Sequence, residues 1–288
     1  MLIPKHDGEV IAYHSIIPIV THPRIYYVNG IQNDGRDHAQ TATALSALTE
    51  HQIIGIYNAT AGKGAGIILD LLQCGADWTD VFLSKIAEWG NIGVNFVVNH
   101  LLDFLRQNLG MGKGDPVNMA NAIRQKVPFK QRLALIEACV STYNKATASL
   151  FHQLDKHLGS KQIIIAHSQG NLIAADALWS MVICHGEESL ADMRVYSLAS
   201  PAPAWPLGIR HRRKVYGHTN DLVTLADPHN WLLIDQLAGG IFGRAAGDWR
   251  RFGKSWVPGL AGHDLGRNIA LNFSTSIRRD LGLAPILN

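Results

Sequence analysis

The feature that most narrows the fold is the stretch Gln162 to Leu172, Gln-Ile-Ile-Ile-Ala-His-Ser-Gln-Gly-Asn-Leu, together with the Ala/Leu-rich segment that follows it. Ile163, Ile164, Ile165 and Ala166 form an apolar run of the length of a buried strand. A polar knot, His167-Ser168-Gln169-Gly170, interrupts it, and Leu172 to Cys184 reads as a helix. Strand, abrupt turn and helix with a serine at the apex is the context that a G-x-S-x-G nucleophile elbow requires. In such a turn the serine adopts a strained backbone conformation that pushes its Oγ out above the sheet edge. Ala166 takes the place of the first glycine and Gly170 is kept, so strand and helix gain one methyl at their point of closest approach.

Composition sets outer limits. A chain of 288 residues with 47% hydrophobic and 17% charged residues is neither disordered nor short of core material. It fits one α/β domain. The net charge of +3 is too small to point to nucleic-acid binding. Cys74, Cys139 and Cys184 are widely spaced within apolar segments and read as reduced core residues, with no disulfide frame or zinc spacing. No H-E-x-x-H or comparable ligand set occurs, so neither a metal nor another cofactor is expected. The opening MLIPKHDGEVIAY has no signal-peptide apolar core, and the nearest approach to a membrane span, Trp89 to Leu102, carries three asparagines and a histidine. The expectation is a soluble chain, cytoplasmic as synthesised, with signal-less export left open.

Along the chain, residues 9–20 suggest strands near a sheet edge, interrupted by Pro18. Residues 24–30 read as a strand ending in the turn signal Asn29-Gly30. A helix from about Asp37 to His51 and a strand from Gln52 to Tyr57 complete a βαβ unit. Asn58 to Gly66 is glycine-rich but lacks the spacing of a phosphate loop and reads as flexible. The stretch 60–130 is longer than a plain crossover needs and is expected to be a helical insertion, a candidate cap. Its apolar stripe within Asn91–Leu109 either packs on the domain or faces acyl chains or a membrane surface. Gln131 to Leu158 is expected as one amphipathic helix ended by Gly159. Further strands are expected at Met193–Ser200 and Lys214–His218. A second irregular insertion, 227–262, is rich in tryptophan and arginine, and a final helix runs from Leu265 to Leu281. The sum is a single domain, 1–288, built as a doubly wound, mainly parallel sheet whose ligands sit beyond the strand C-termini.

A serine hydroxyl needs a base to remove its proton, and the base needs an acid to orient it. On a fold of this kind the chain order is serine, acid, histidine. After Ser168, Asp221 lies just beyond the strand at 214–218 and is preferred to Asp227, which precedes a proline. His263, in the glycine-rich loop Pro258-Gly-Leu-Ala-Gly-His263, is preferred to His229, which is too near the acid in sequence. His167 reads as a packing group rather than the base. An oxyanion would be met by the amide of Gln169 and by an amide of the first βα loop, Ile31 or alternatively Gln32.

These motifs resemble those of the α/β-hydrolases, and among them the lipase-like serine esterases. The residues that carry the likeness are Val28-Asn-Gly-Ile31, Ile163–Gly170, Ser197-Leu-Ala-Ser-Pro201, Gly217-His-Thr-Asn-Asp-Leu-Val223 and the Gly262-His263 loop. A looser similarity is to bacterial lipase-like effector toxins. The resemblance implies an α/β-hydrolase fold and hydrolysis of carboxylic esters, with a lipid or other acyl ester as substrate and peripheral membrane contact through the apolar and Trp-rich insertions. Ser168 would be the nucleophile, His263 the base and Asp221 its orienting acid. The alternatives are an acyltransferase or thioesterase on the same triad, or a non-catalytic binding protein of the same fold.

Overall fold

The computed structural model describes residues 1–15, 19–30, 33–59, 116–200, 202, 205–216 and 270–284. Six strands lie within them: β1 Val10–Tyr13, β2 Arg24–Val28, β3 Ile53–Ile56, β4 Gln162–His167, β5 Met193–Leu198 and β6 Arg213–Tyr216. They form one sheet in the order β1-β3-β2-β4-β5-β6. β1 pairs antiparallel with β3 at the edge, and all other neighbours are parallel. The apolar run of the opening motif is the reason β4 is central. All six of its residues are buried, with Ile165 opposite Tyr27 of β2 and Tyr196 of β5.

The described helices longer than about one turn are α1 Gly35–Thr49, α2 Pro116–Lys126, α3 Phe129–Tyr143, α4 Lys145–Lys156, α5 Gly170–His185 and α6 Ala270–Asp280. The two-residue repeat of the strands assigns them to layers. Tyr26, Val28, Ile164, Ala166 and Val195 point to one face and pack with Ile123, Ile136, Phe151, Leu154 and Leu178 from α2 to α5. Ile25, Tyr27, Ile163, Ile165, Tyr196 and Leu198 point to the other and meet Ala39, Ala42 and Leu45 of α1 and Phe273 and Ile277 of α6. The result is an α/β/α arrangement around a mostly parallel sheet. α5 is buried continuously from Ile173 to Cys184, because its neighbours α2 to α4 cover the side turned away from the sheet.

The segment expected as one helix over 131–158 is two. Asn144 is extended at φ −156° and ψ 113°, its Oδ1 accepts the Thr147 N–H at 2.9 Å, and its own N–H donates to the Val140 carbonyl at 2.8 Å. Asparagine competes well for such a capping role, so the chain breaks there although the apolar stripe continues on either side. The second helix stops at Lys156, and Leu158, counted in the stripe, is exposed. Arg132 ties three segment ends together, donating to the carbonyls of Arg124, Val127 and Cys184 at 2.8, 2.5 and 3.0 Å.

The described end of the expected insertion is a helix packed on the domain. α2 buries Met119, Ala120 and Ile123 in the same apolar cluster as the sheet. The rest of that stretch, 60–115, and the 227–262 insertion lie outside the described residues. Cys139 and Cys184 are free and buried, and burial pushes their thiols up to about 11 and about 12, which keeps them protonated and unreactive. Cys74 lies outside the described residues. Among the described residues, no helix is long and apolar enough to cross a membrane, and no group of three or more His, Cys, Asp or Glu could hold a metal ion.

Candidate active site

The chain leaves β2 through α1 towards β3 on one side, and leaves β4 through α5 towards β5 on the other. The connections therefore diverge between β2 and β4. In open α/β sheets a crevice forms beyond the strand C-termini at such a point, and ligands bind there. The two loops that flank it here are the start of the β2–α1 connection, Asn29-Gly30, and the β4–α5 turn, His167-Ser168-Gln169-Gly170.

Ser168 has φ +53°, in the left-handed region that a side chain with a Cβ rarely occupies. That conformation costs about 1–2 kcal/mol, so it persists only because its surroundings enforce it. They do so from β5. The Ser168 N–H donates to the Leu198 carbonyl at 2.9 Å, and the Ser168 carbonyl accepts from both the backbone and the side-chain amide of Asn171, at 2.9 and 3.0 Å. Asn171 Nδ2 also donates to the Leu198 carbonyl at 2.9 Å, and its Oδ1 accepts the Ser197 hydroxyl at 2.5 Å. Ala199, at the end of the neighbouring strand, is left-handed too, at φ +47°, with its N–H on the Tyr216 carbonyl at 2.7 Å. Two adjacent strand ends are thus bent out of the sheet where the serine is presented.

Two glycines make room for this turn. A Cβ on Gly170 would lie 2.5 Å from the Val28 carbonyl oxygen and 3.0 Å from that of Asn29, so α5 can begin against β2 only without a side chain there. A Cβ on Gly30 would lie 2.4 Å from Ser168 Cβ and 3.0 Å from its Oγ. Gly30 backbone therefore lies directly against the serine side chain. By contrast, the methyl of Ala166 is absorbed in the core between Val28 and Ser197. His167 is 5% exposed, a buried group as the sequence reading expects.

The Gln169 N–H forms no hydrogen bond among the described residues, which leaves it open to an acceptor placed at the serine. Its side-chain Oε1 accepts from Asn58 Nδ2 at 2.9 Å. Asn58, at the end of β3, is in turn locked to Asn29. The Asn58 N–H donates to Asn29 Oδ1 and Asn29 Nδ2 donates to the Asn58 carbonyl, both at 2.8 Å. Asn29 Nδ2 also reaches the Gly30 carbonyl at 3.0 Å, and Asn33 Nδ2 reaches it at 3.3 Å. The last member is His38 of α1, whose Nδ1 lies 2.9 Å from Asn29 Oδ1.

This network fixes the histidine tautomer. Asn29 Oδ1 can only accept, so Nδ1 of His38 carries the proton and donates. Nε2 then faces Gly55, where even a Cβ would come within 2.5 Å of it, and it has no hydrogen-bond partner among the described residues. The ring stacks on Tyr27 with centroids 5.1 Å apart and meets Tyr13 and Tyr57 edge-on. Burial among these rings pushes the His38 imidazole down to about 3, so it is neutral at ordinary pH.

Of the residues named from the sequence, Ser168 and Gln169 are brought together with Gly30 at the switch point. Ile31, Asp221 and His263 lie outside the described residues, as do the alternatives Gln32, Asp227 and His229. Sequence reasoning missed His38, Asn58 and Asn171. The first two lie far from the serine in sequence, and the third looks like an ordinary first-turn residue of a helix. Only the fact that Asn29 and Asn58 each stand just after a strand of the first βαβ unit hinted at a shared location. Compared with protein-family models, curated proteins and solved structures, the chain matches none of them.

Proposed function

We propose that this protein is a serine hydrolase of the α/β-hydrolase type that cleaves carboxylic esters, with lipid or other acyl esters as the substrate class. The observation that carries the reading is the left-handed Ser168 at the β2/β4 switch point with Gly30 backbone packed on its side chain. A strained serine on a strand-to-helix turn, with the first βα loop beside it, is the arrangement that presents a nucleophile next to oxyanion donors. Helix α5 starts one residue after the Gln169 amide, so its N-terminus also favours negative charge at this place.

In the reaction, Ser168 Oγ attacks the acyl carbon while His263 takes its proton and Asp221 holds the imidazole. The tetrahedral oxyanion is met by the Gln169 amide and by an amide of the loop containing Ile31. Collapse expels the alcohol, which receives the proton from His263. Water then attacks the acyl-enzyme by the same path in reverse and releases the acid. No cofactor enters.

The test is treatment with a fluorophosphonate followed by peptide mass analysis. The expected result is one phosphonyl adduct on Ser168, absent from the Ser168→Ala protein, with His263→Ala slowing ester turnover by a factor on the order of a million. A folded wild-type protein that stays unmodified while a known serine esterase is labelled in parallel would overturn the reading and leave a binding protein of similar shape.

A further inference from the structure

The amides and imidazole behind the serine do more than satisfy one another. The Gly30 carbonyl is gripped by two side-chain amides, Asn29 Nδ2 at 3.0 Å and Asn33 Nδ2 at 3.3 Å. Because a peptide unit is planar, the direction of its carbonyl fixes the plane of that whole unit. Asn29 cannot swing away, since Oδ1 is held by the His38 ring and by the Asn58 N–H while Nδ2 is held by the Asn58 carbonyl. Asn58 spends its own side-chain donor on Gln169, the residue directly after the serine. Asn29, His38 and Asn58 are buried at 0, 0 and 4% exposure, so water does not compete for these bonds. One connected set of hydrogen bonds thus runs from α1 through the ends of β2 and β3 to the Gly30 carbonyl and the Gln169 side chain, on either side of Ser168.

We propose that Asn29 and Asn58, braced by His38, are positioning residues that set the Gly30 peptide plane and the Gln169 turn for stabilising the oxyanion formed at Ser168. The proposal rests on the reading of Ser168 as a nucleophile. None of the three side chains needs to touch substrate. Their effect is on transition-state stabilisation, because a donor displaced by a fraction of an ångström binds a ground-state ester almost as well but meets the oxyanion poorly. The effect therefore falls on kcat and on the rate of phosphonylation, with KM nearly constant.

Three variants separate this role from general support of the fold. Asn29→Asp keeps the acceptor for His38 and the Asn58 N–H but removes both donated bonds. Asn33→Ala removes the outer grip on the Gly30 carbonyl at a partly exposed position. Asn58→Asp loses its donor to Gln169, yet rotation of the Gln169 amide restores a hydrogen bond to the new carboxylate, whereas Asn58→Ala cannot. For each, the rate of fluorophosphonate labelling, kcat and KM for a short-chain p-nitrophenyl ester, and cooperative thermal unfolding are measured on the full chain. The expected result for Asn29→Asp is a fall in kcat and labelling rate of about tenfold to a hundredfold with KM within about twofold. Asn33→Ala should fall about threefold and Asn58→Ala about tenfold, with Asn58→Asp recovering most of the loss. If Asn29→Asp does not melt cooperatively, Asn33→Ala and the Asn58 pair decide alone. Wild-type rates in every folded variant, or a loss confined to KM, would overturn the positioning role while wild-type labelling at Ser168 still upheld the nucleophile. Absence of labelling in the wild type itself would instead strike the hydrolase reading.

Discussion

At the C-terminal ends of β2, β3 and β4, polar groups are neutral and fully enclosed: Asn29, Asn58 and His38 among one another, Asn171 and Ser197 around Ser168. Towards the opposite ends of the neighbouring strands, the polar groups are ionic. Asp280 of α6 accepts from Lys214 of β6, from the Tyr196 hydroxyl and, at 2.8 Å, from Arg194. Arg194 there keeps 41% of its side chain exposed, whereas Asn29, His38 and Asn58 keep no more than 4%. The difference follows from what each end must do. An ion pair can stay strong only if its desolvation is limited, so it sits where one partner still meets water. Neutral amides can be buried outright once every donor and acceptor is used. A neutral cradle also places no fixed charge where the proposed reaction at Ser168 would develop an oxyanion and an imidazolium.

That contrast can be broken most sharply at Gly30. Gly30→Ala should reduce ester turnover and Ser168 labelling at least about a hundredfold, because the new methyl would occupy the space of Ser168 Cβ, and one lost oxyanion donor alone is worth that much. Kinetics on the purified, folded variant check this, and near-normal labelling would mean the loop is free to move away.

The next effect is on acid stability. His38 is held neutral in the folded protein down to about pH 3, while in the unfolded chain it takes up a proton near 6.5. Its contribution is therefore complete above about pH 6.5 and is lost as the pH falls towards 3, by up to about 1.4 kcal/mol per pH unit. His38→Phe keeps an aromatic ring between Tyr13, Tyr27 and Tyr57 and should flatten urea-unfolding stability between pH 6 and about 4. An unchanged slope would show that His38 is protonated or exposed in the folded state.

The smallest effect on activity belongs to the ionic end. Burial raises the Asp280 carboxyl, but the hydrogen bonds from Lys214 and Tyr196 outweigh it and hold the group below its ordinary value of 3.8. Its stabilisation is present above that value and is lost as the pH falls through the lowered one, a window that opens only near the acid end of that of His38. Asp280→Ala should cost about 2–3 kcal/mol of stability and leave the labelling rate of Ser168 unchanged. A matching loss of labelling would mean the two ends of the sheet are coupled.

The sheet and the serine turn were readable from the chain because their signals are local. Ile163 to Ala166 and the helix from Leu172 are continuous in sequence, and their junction at Ser168-Gln-Gly needs no distant partner to be recognised. The break at Asn144 was hidden for the opposite reason. Hydrophobic period carries no record of a single capping side chain, so Leu133 to Leu154 reads as one stripe across two helices. The antiparallel direction of β1 was equally silent, since an edge strand has the same alternation whichever way it runs.

What the sequence determined by itself is the alternation of buried strands and helices, and with it the place of one serine at a strand end. Tertiary structure alone decided which polar groups would stand behind that serine. Asn29, His38, Asn58 and Asn171 carry no mutual pattern along the chain, and their roles exist only because parallel strands in the order β3-β2-β4-β5 bring their C-terminal ends side by side. The physical reason is that hydrophobic burial is written residue by residue, whereas a buried hydrogen bond has value only when its partner arrives from elsewhere in the fold.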